Sequence, residues 1–178
     1  EEILGMAVDL FSAIENTMNV LTNSDMSFQP ATTQGGEAAP LAQGTIGMLL
    51  GSPDREVRRT AWENYADSYL AFKNTLASNL GVTIKRDVFM SRARRYPSSL
   101  EAALFAYNIP VEVFYNLIET YKRHIPTWHK YWSVKRRTLG VERMESYDIW
   151  APLTQKRPTV SYEQSVDWIC EGMAPLGE

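Results

Sequence analysis

Residues 51–65 read GSPDREVRRTAWENY, and this stretch carries the signals of a helix start. Ser52 can cap the helix and Pro53 suits its first turn. Asp54 places negative charge at the positive end of the helix dipole. Apolar side chains then recur every three or four residues, which predicts a helix of ~27 residues that ends at Gly81. These side chains are Val57, Ala61, Tyr65, Tyr69, Phe72, Leu76 and Leu80.

The same periodicity predicts helices over most of the remaining chain. Two of them open with a capping box, Ser98 with Glu101 and Ser161 with Gln164. Gly140 ends another, because glycine readily adopts the left-handed conformation that closes a helix. The predicted helices cover residues 1–21, 45–50, 99–107, 110–139 and 161 to about 174, and the pattern also resumes over 88–96.

One short β excursion interrupts the helices. Residues 25–29 alternate in polarity as a strand does, and residues 34–36, Gln-Gly-Gly, are typical of a turn. The sequence SYDIWAPL, residues 146–153, is predicted to be extended. We therefore expect an all-α fold, mainly of long helices, with one small β-hairpin near residues 24–42. Residues 1–50 would hold the amino-terminal helix and the hairpin, and residues 51–178 a helical region.

The composition favours a folded domain and argues against two classes of protein. Of the 178 residues, 44% are apolar and the net charge is −3, so the chain is neither disordered nor a strongly basic nucleic-acid binder. The basic clusters Arg58-Arg59, residues 92–95 and residues 135–137 lie near acidic residues and are predicted to be solvated helix faces. A basic groove for RNA remains a disfavoured alternative, and we expect no nucleic-acid partner.

The single cysteine fits a reducing compartment, so we expect a cytoplasmic protein. Cys170 lies in an apolar helical pattern beside Trp168 and Ile169, which predicts a small core residue rather than a nucleophile. No apolar run approaches the ~20 residues that cross a bilayer, and no signal peptide is visible, so no membrane partner is expected. The chain opens without methionine inside a helical pattern, and we expect it to be a piece of a longer protein.

The stretch HIPTWH, residues 124–129, contains both histidines of the chain and raises the question of a metal site. Zinc-binding pairs on a helix usually stand three or four residues apart so that both rings share a face. His124 and His129 are five apart with Pro126 between them, and no acidic residue lies in the stretch. We therefore predict two ordinary surface histidines and no metal ligand here.

Several stretches in fixed order resemble one family. The most specific is RDVFMSRARRYPSSLEAALFAYNIP, residues 86–110. It combines a helix break at Pro97, the capping box of Ser98 with Glu101, and a second proline, Pro110, in fixed order. The others are NSDMSF (23–28), GSPDREVRRTAWENY (51–65), FKNTLASNL (72–80), YDIWAPL (147–153) and YEQSVDWICEGMAPLGE (162–178). Together they are similar to the oligoendopeptidase F family, zinc metallopeptidases related to thimet oligopeptidase.

The resemblance implies a helical, two-lobed enzyme whose deep channel admits short peptides. In that family two histidines of a His-Glu-x-x-His motif and a later glutamate hold zinc, and the motif's glutamate is the general base. No stretch of this sequence reads His-Glu-x-x-His, so no catalytic, substrate-binding or metal residue is assigned to any position. The chain would be the amino-terminal scaffold and channel-wall portion, its partners being short peptides and the zinc-bearing carboxy-terminal portion. The alternative is a stand-alone helical binding or scaffold module without catalysis.

Overall fold

The computed structural model describes residues 2–154 and 159–177. It confirms an all-α fold with one small antiparallel sheet. The helices are α1 (Glu2–Val20), α2 (Ile46–Leu50), α3 (Arg55–Ala71), α4 (Lys73–Ala93), α5 (Ser99–Phe105), α6 (Val111–Leu139) and α7 (Tyr162–Met173), and the strands are β1 (Ala31–Thr32) and β2 (Ala38–Ala39). A π-turn at Leu21–Asp25 and 3-10 turns at Ser146–Asp148 and Ala174–Leu176 complete the described elements.

Helix α3 starts two residues later than the sequence predicts. Asp54, with extended backbone angles, is the N-cap: its Oδ1 accepts a 2.8 Å hydrogen bond from the Glu56 amide. The predicted cap Ser52 instead accepts from the Asp54 amide at 3.1 Å, and Pro53 lies before the helix. A carboxylate is the better acceptor at this end because it also interacts with the helix dipole.

The predicted helix that runs from residue 52 to Gly81 is wrong, because the chain forms two helices divided at Phe72. Phe72 has φ −105° and ψ 16°, and its amide bonds the Tyr69 carbonyl three residues back. Helix α4 then continues through Gly81 to Ala93, since one glycine inside a helix costs only ~1 kcal/mol. The break separates two packing roles: α3 meets α2, the sheet and the Ser146–Asp148 turn, whereas α4 meets α1 and α5.

Contacts between α1 and α4 are specific. Arg86 forms an ion pair with Glu15 at 2.7 Å, and the Asn79 side-chain amide donates to the Ile14 carbonyl at 2.8 Å. The rings of Phe11 and Phe89 meet edge to face at 5.8 Å. These contacts require α4 to approach α1, which the break at Phe72 permits.

The hairpin lies within the predicted 24–42 region, but its first strand lies outside the predicted 25–29. Ala31 pairs with Ala39 and Thr32 with Ala38, and the turn at Gly36 (φ 85°) confirms the prediction for residues 34–36. The chain reaches this strand late because the Leu21–Asp25 turn prolongs the first helix. The Met26 amide closes that turn on the Leu21 carbonyl at 2.9 Å.

The best-buried apolar cluster lies between the hairpin, α2 and α3. Ala31 and Ala61 are fully buried, and their small side chains let the sheet approach α3 closely. The Thr32 amide donates to the Thr60 hydroxyl at 2.8 Å across this contact. Beside the cluster the Tyr65 hydroxyl donates to the Gln43 side chain at 2.5 Å, and burial together with Tyr69 raises the pKa of Tyr65 to about 12. The remaining cluster members are Leu41, Leu49 and Val57.

Farther along the chain most boundaries confirm the prediction. Helix α6 runs unbroken through Pro126, and Gly140 ends it in the left-handed region at φ 67°. The Ser161 hydroxyl caps α7 by accepting from the Gln164 amide at 3.2 Å. The prediction that SYDIWAPL is extended is wrong, because its first three residues form the Ser146–Asp148 turn. No helix in the described ranges is both long and apolar enough to cross a bilayer.

The capping box of α5 gives a stability prediction. The Ser98 hydroxyl accepts from the Glu101 amide at 3.1 Å and contacts its carboxylate at 2.9 Å. Replacing Ser98 by Ala should lower the free energy of unfolding by about 1 kcal/mol. The matched control is Arg94→Ala at a nearby exposed position, which should change it by less than about 0.5 kcal/mol. Urea melts of both variants test this, and an equal loss in the two would contradict the assignment of Ser98 as the cap.

Candidate functional site

The two histidines lie where the sequence predicts them. His124 and His129 are exposed on α6, on either side of Pro126. Across residues 2–154 and 159–177 no three His, Cys, Asp or Glu side chains come together in a group that could hold a metal ion.

Cys170 does not belong to the core, so that prediction is wrong. The thiol is exposed on α7, a helix without a buried residue. An apolar pattern predicts which face of a helix seeks a partner, but it does not show that the partner is present in the same stretch of chain. The same reason applies to Trp150, a large aromatic side chain in the apolar stretch YDIWAPL that is 68% exposed.

The basic clusters divide into solvated and buried members. Residues 92–95 are exposed as predicted, but Arg58 is only 3% exposed and Lys135 only 5%. Buried cations need a carboxylate or carbonyl partner, because an unpaired charge loses its hydration without compensation. The partner of Arg58 is Asp148 and that of Lys135 is the Ile149 carbonyl, and neither was predicted from the sequence.

Asp148 is fully buried and lies at the centre of this charged cluster. Arg55 donates hydrogen bonds to both carboxylate oxygens, from Nε to Oδ1 at 3.1 Å and from Nη2 to Oδ2 at 2.9 Å. Arg58 Nη2 donates to Oδ1 at 3.0 Å, and the Glu145 amide donates to Oδ2 at 3.1 Å. The three guanidinium donors join residues 90 to 93 positions apart in sequence and fasten the Ser146–Asp148 turn to the first turn of α3.

Lys135 brings the end of α6 to the same place. Its Nζ donates to the Ile149 carbonyl at 2.6 Å. Burial lowers the pKa of Lys135, and the positive charge of Arg58 lowers it further. Burial works to raise the pKa of Asp148, but the hydrogen bonds from Arg55 and Arg58 outweigh burial and hold that pKa below its usual range. A carboxylate so engaged is a poor general base, so the cluster is structural.

An open cleft of about 710 Å³ lies beside this cluster, between the hairpin turn, the start of α3 and Tyr147. Its charged side chains already have partners. Asp54 caps α3 and also accepts from the Gln34 amide at 2.9 Å, and Arg59 pairs with Glu56. Arg55 bonds Asp148 and lies over the Tyr147 ring at 5.2 Å. The cleft could therefore hold a ligand by its shape, but Asp54, Arg55 and Arg59 are already engaged and are not available for catalysis.

A row of aromatic rings on α6 is the most distinctive accessible surface. Trp128 stacks on Trp132 with ring centres 6.1 Å apart and meets Tyr131 edge to face at 6.2 Å. Tyr121 extends the row towards the amino end, with its ring centre 6.4 Å from that of Trp128. Trp128 is 43% exposed and Tyr121 57%. Such a rigid aromatic row can pack against apolar side chains or peptide planes.

Loss of the Asp148 charge should destabilise the fold strongly. Asp148→Asn keeps the shape but leaves Arg55 and Arg58 without an anion, so the free energy of unfolding should fall by about 3–5 kcal/mol. The control Glu119→Gln removes an exposed pair with Lys122 and should cost about 0.5 kcal/mol or less. Urea unfolding followed by circular dichroism gives both values. Equal small losses would show that the buried ion pairs contribute little.

The same carboxylate predicts an acid dependence. Its folded-state pKa lies below the unfolded value of about 3.9, so the ionised group stabilises the fold above that pH and loses its effect as pH falls through the folded pKa. The gap in unfolding free energy between wild type and Asp148→Asn should be constant above about pH 5 and narrow below about pH 4. A gap that stays constant down to pH 3 would contradict this.

Comparison with known proteins identifies relatives along the whole chain. The profile of peptidase family M3 matches residues 48–173. Oligopeptidase PepF of Bacillus subtilis is 35% identical over 179 residues, covering 100% of this chain and 27% of the relative. Group B oligopeptidase PepB of Streptococcus agalactiae is 33% identical, covering 100% of this chain and 30% of the relative. The chain thus spans about 30% of the length of these relatives.

Solved structures agree with the sequence match. Oligoendopeptidase-F from Enterococcus faecium superposes with a TM-score of 0.83 at 34% identity, over 99% of this chain and 33% of that chain. A peptidase from Chlamydophila abortus gives a TM-score of 0.87 at 33% identity, over 99% of this chain and 30% of that chain. The resemblance drawn from the sequence is confirmed, and the chain belongs to peptidase family M3.

Proposed function

We propose that this chain is the amino-terminal scaffold portion of a cytoplasmic, zinc-dependent oligopeptidase that hydrolyses internal bonds of short peptides. The observation that carries the proposal is a family match over residues 48–173 combined with coverage of only about 30% of the oligopeptidase relatives. Residues 1–50 would contribute the first helix and the hairpin, and residues 51–178 would lead into the catalytic core. The single cysteine fits a reducing compartment.

The catalytic groups would come from the polypeptide outside this region. The sequence contains no His-Glu-x-x-His, and the five-residue spacing of His124 and His129 does not suit a zinc pair. The residues of this chain therefore do not fit the metal, and we assign it no metal ligand and no catalytic residue. When bound elsewhere in the protein, zinc would acidify a water molecule and polarise the scissile carbonyl.

Within such an enzyme this chain would supply one wall of the peptide channel. The aromatic row of α6 supports this role, because its rings are exposed yet held by one another and by a helix of 29 residues. Aromatic side chains of this kind bind apolar and planar groups at little entropic cost. A wall of rings would select peptides by shape and apolarity rather than by charge.

A stand-alone helical binding or scaffold module is the second candidate. It is favoured by the absence of the zinc motif from these 178 residues. The two readings differ in what the gene encodes beyond the region. A His-Glu-x-x-His motif there supports the peptidase, and its absence from the whole gene product supports the module.

The isolated chain should hold no stoichiometric zinc and cleave no peptide, whereas the intact gene product should do both. Metal analysis and a fluorogenic peptide assay on the two proteins test this. One equivalent of tightly bound zinc in the isolated chain that disappears in His129→Ala would refute the assignment of the metal to another part of the protein.

The channel-wall role predicts an effect on substrate binding. Trp128→Ala in the intact product should lower kcat/KM for an apolar peptide several-fold, up to about tenfold, mainly through a higher KM. Tyr115→Ala is the matched control, since Tyr115 is a similarly exposed ring (57%) on another face of α6. Equal effects of the two substitutions would contradict a specific role for the aromatic row.

A further inference from the structure

The chain exposes far more surface than a closed protein of its size. Its solvent-accessible area is 13835 Å², whereas a compact monomer of 20.2 kDa exposes about 8,800 Å². The excess of roughly 5,000 Å² on this one chain far exceeds the ~800 Å² per partner of a standard dimer contact. Many large apolar side chains of the described residues, including those of α7, are exposed.

Helix α7 presents the most regular of these faces. Tyr162, Val166, Ile169 and Met173 lie within roughly one sixth of the helix circumference and form what we call the α7 stripe. They are 79%, 40%, 60% and 55% exposed. Glu163 lies beside the stripe, whereas Asp167 and Glu171 lie farther round the helix, towards the face opposite the stripe. Ordinary surface helices bury such a stripe against the body of the protein.

Nothing in the described part of this chain covers the α7 stripe. Beyond the Ala174–Leu176 turn that continues it, α7 makes only marginal contacts with the described elements, and it has no buried residue. A helix of 12 residues is marginal by itself in water. A stable α7 thus needs support from outside residues 2–154 and 159–177.

The longer relatives indicate where that support lies. Superposition extends over 99% of this chain at TM-scores of 0.87 and 0.83, although the matched region is only 30% and 33% of the two solved chains. We infer that an α7 that keeps its place in proteins three times as long, with only marginal contacts to the other described elements, takes its support from the part that is not shared. A second copy of this chain would not account for that agreement.

We propose that the α7 stripe is the docking surface for the remaining polypeptide of the longer peptidase, an inference that rests on the proposed function. The docking partner presents an apolar groove for Tyr162, Val166, Ile169 and Met173. A basic side chain lines the edge of that groove that faces Glu163, because this carboxylate would otherwise lose solvent without a counter-charge. The scaffold portion and the catalytic portion are thereby fixed to each other through α7.

Cys170 provides a native reporter for this contact. It is the single cysteine among the 178 residues, and on a helix it lies at the edge of the stripe, four residues after Val166 and three before Met173. Its rate of alkylation, followed by mass spectrometry of the peptide that contains it, measures whether the stripe is covered. The rate in the intact gene product should be at least tenfold lower than in the isolated 178-residue chain.

Two variants of the intact product make the test specific. Ile169→Asp places a charge in the stripe and should return the alkylation rate towards that of the isolated chain. Gln164→Asp adds the same charge on the opposite face of α7 and should leave the rate low. If Ile169→Asp proves insoluble, the comparison of wild-type rates in the two proteins still decides the matter.

Several results would overturn the inference. One is equal alkylation in both proteins, and another is a gene that encodes nothing beyond residues 1–178. A third is an isolated chain that forms a stable dimer in which Cys170 is protected and which Ile169→Asp dissociates, since the occupant would then be a second copy. Protection of Cys170 in an intact product that cleaves no peptide would retain the docking surface and reject the peptidase. If the intact product cleaves peptides while its Cys170 stays fully reactive, the peptidase is retained and the docking surface is rejected.

Discussion

A buried carboxylate holds the middle of this chain together. Asp148 receives donors from Arg55, Arg58 and the Glu145 backbone, and so fixes the Ser146–Asp148 turn against the start of α3. Lys135 ties the end of α6 to the same turn through the Ile149 carbonyl. One carboxylate faces three cations here, so positive charge outnumbers negative charge in the cluster, and Arg58 Nε is buried without a hydrogen-bond partner among the described residues. The hairpin core, by contrast, depends on close packing of small apolar residues.

Features that depend on near neighbours were predictable from the sequence. The Ser98 cap of α5 and the Gly140 end of α6 each involve groups within a few residues. The division at Phe72 was not predictable in this way, because the helical spacing of Tyr69, Phe72 and Leu76 continues across the break. The α3 cap is Asp54 rather than Ser52. Both residue types are good N-caps, so the sequence alone does not say which of the two begins the helix.

The candidate site shows the same limit more sharply. Arg58 and Lys135 have the sequence context of solvated surface charges, and only a partner about 90 residues from Arg58 reveals its burial. A signal was present at that partner, because Asp148 is a lone carboxylate among the apolar residues of YDIWAPL. The exposure of Cys170 and Trp150 has a different origin. An apolar sequence context predicts that a side chain needs a partner, but both side chains are exposed among the described residues.

The separation between Arg58 and Asp148 also has a consequence for biosynthesis. At typical translation rates the ~90 residues between them take ~5–20 s to emerge from the ribosome. During that interval α3 can form and the hairpin can close on it, but the guanidinium of Arg58 has no anion to accompany it into the interior. We therefore expect the amino-terminal part of the nascent chain to stay partly hydrated around Arg58 during that interval. It becomes fully consolidated only when the segment that carries Asp148 has been synthesised.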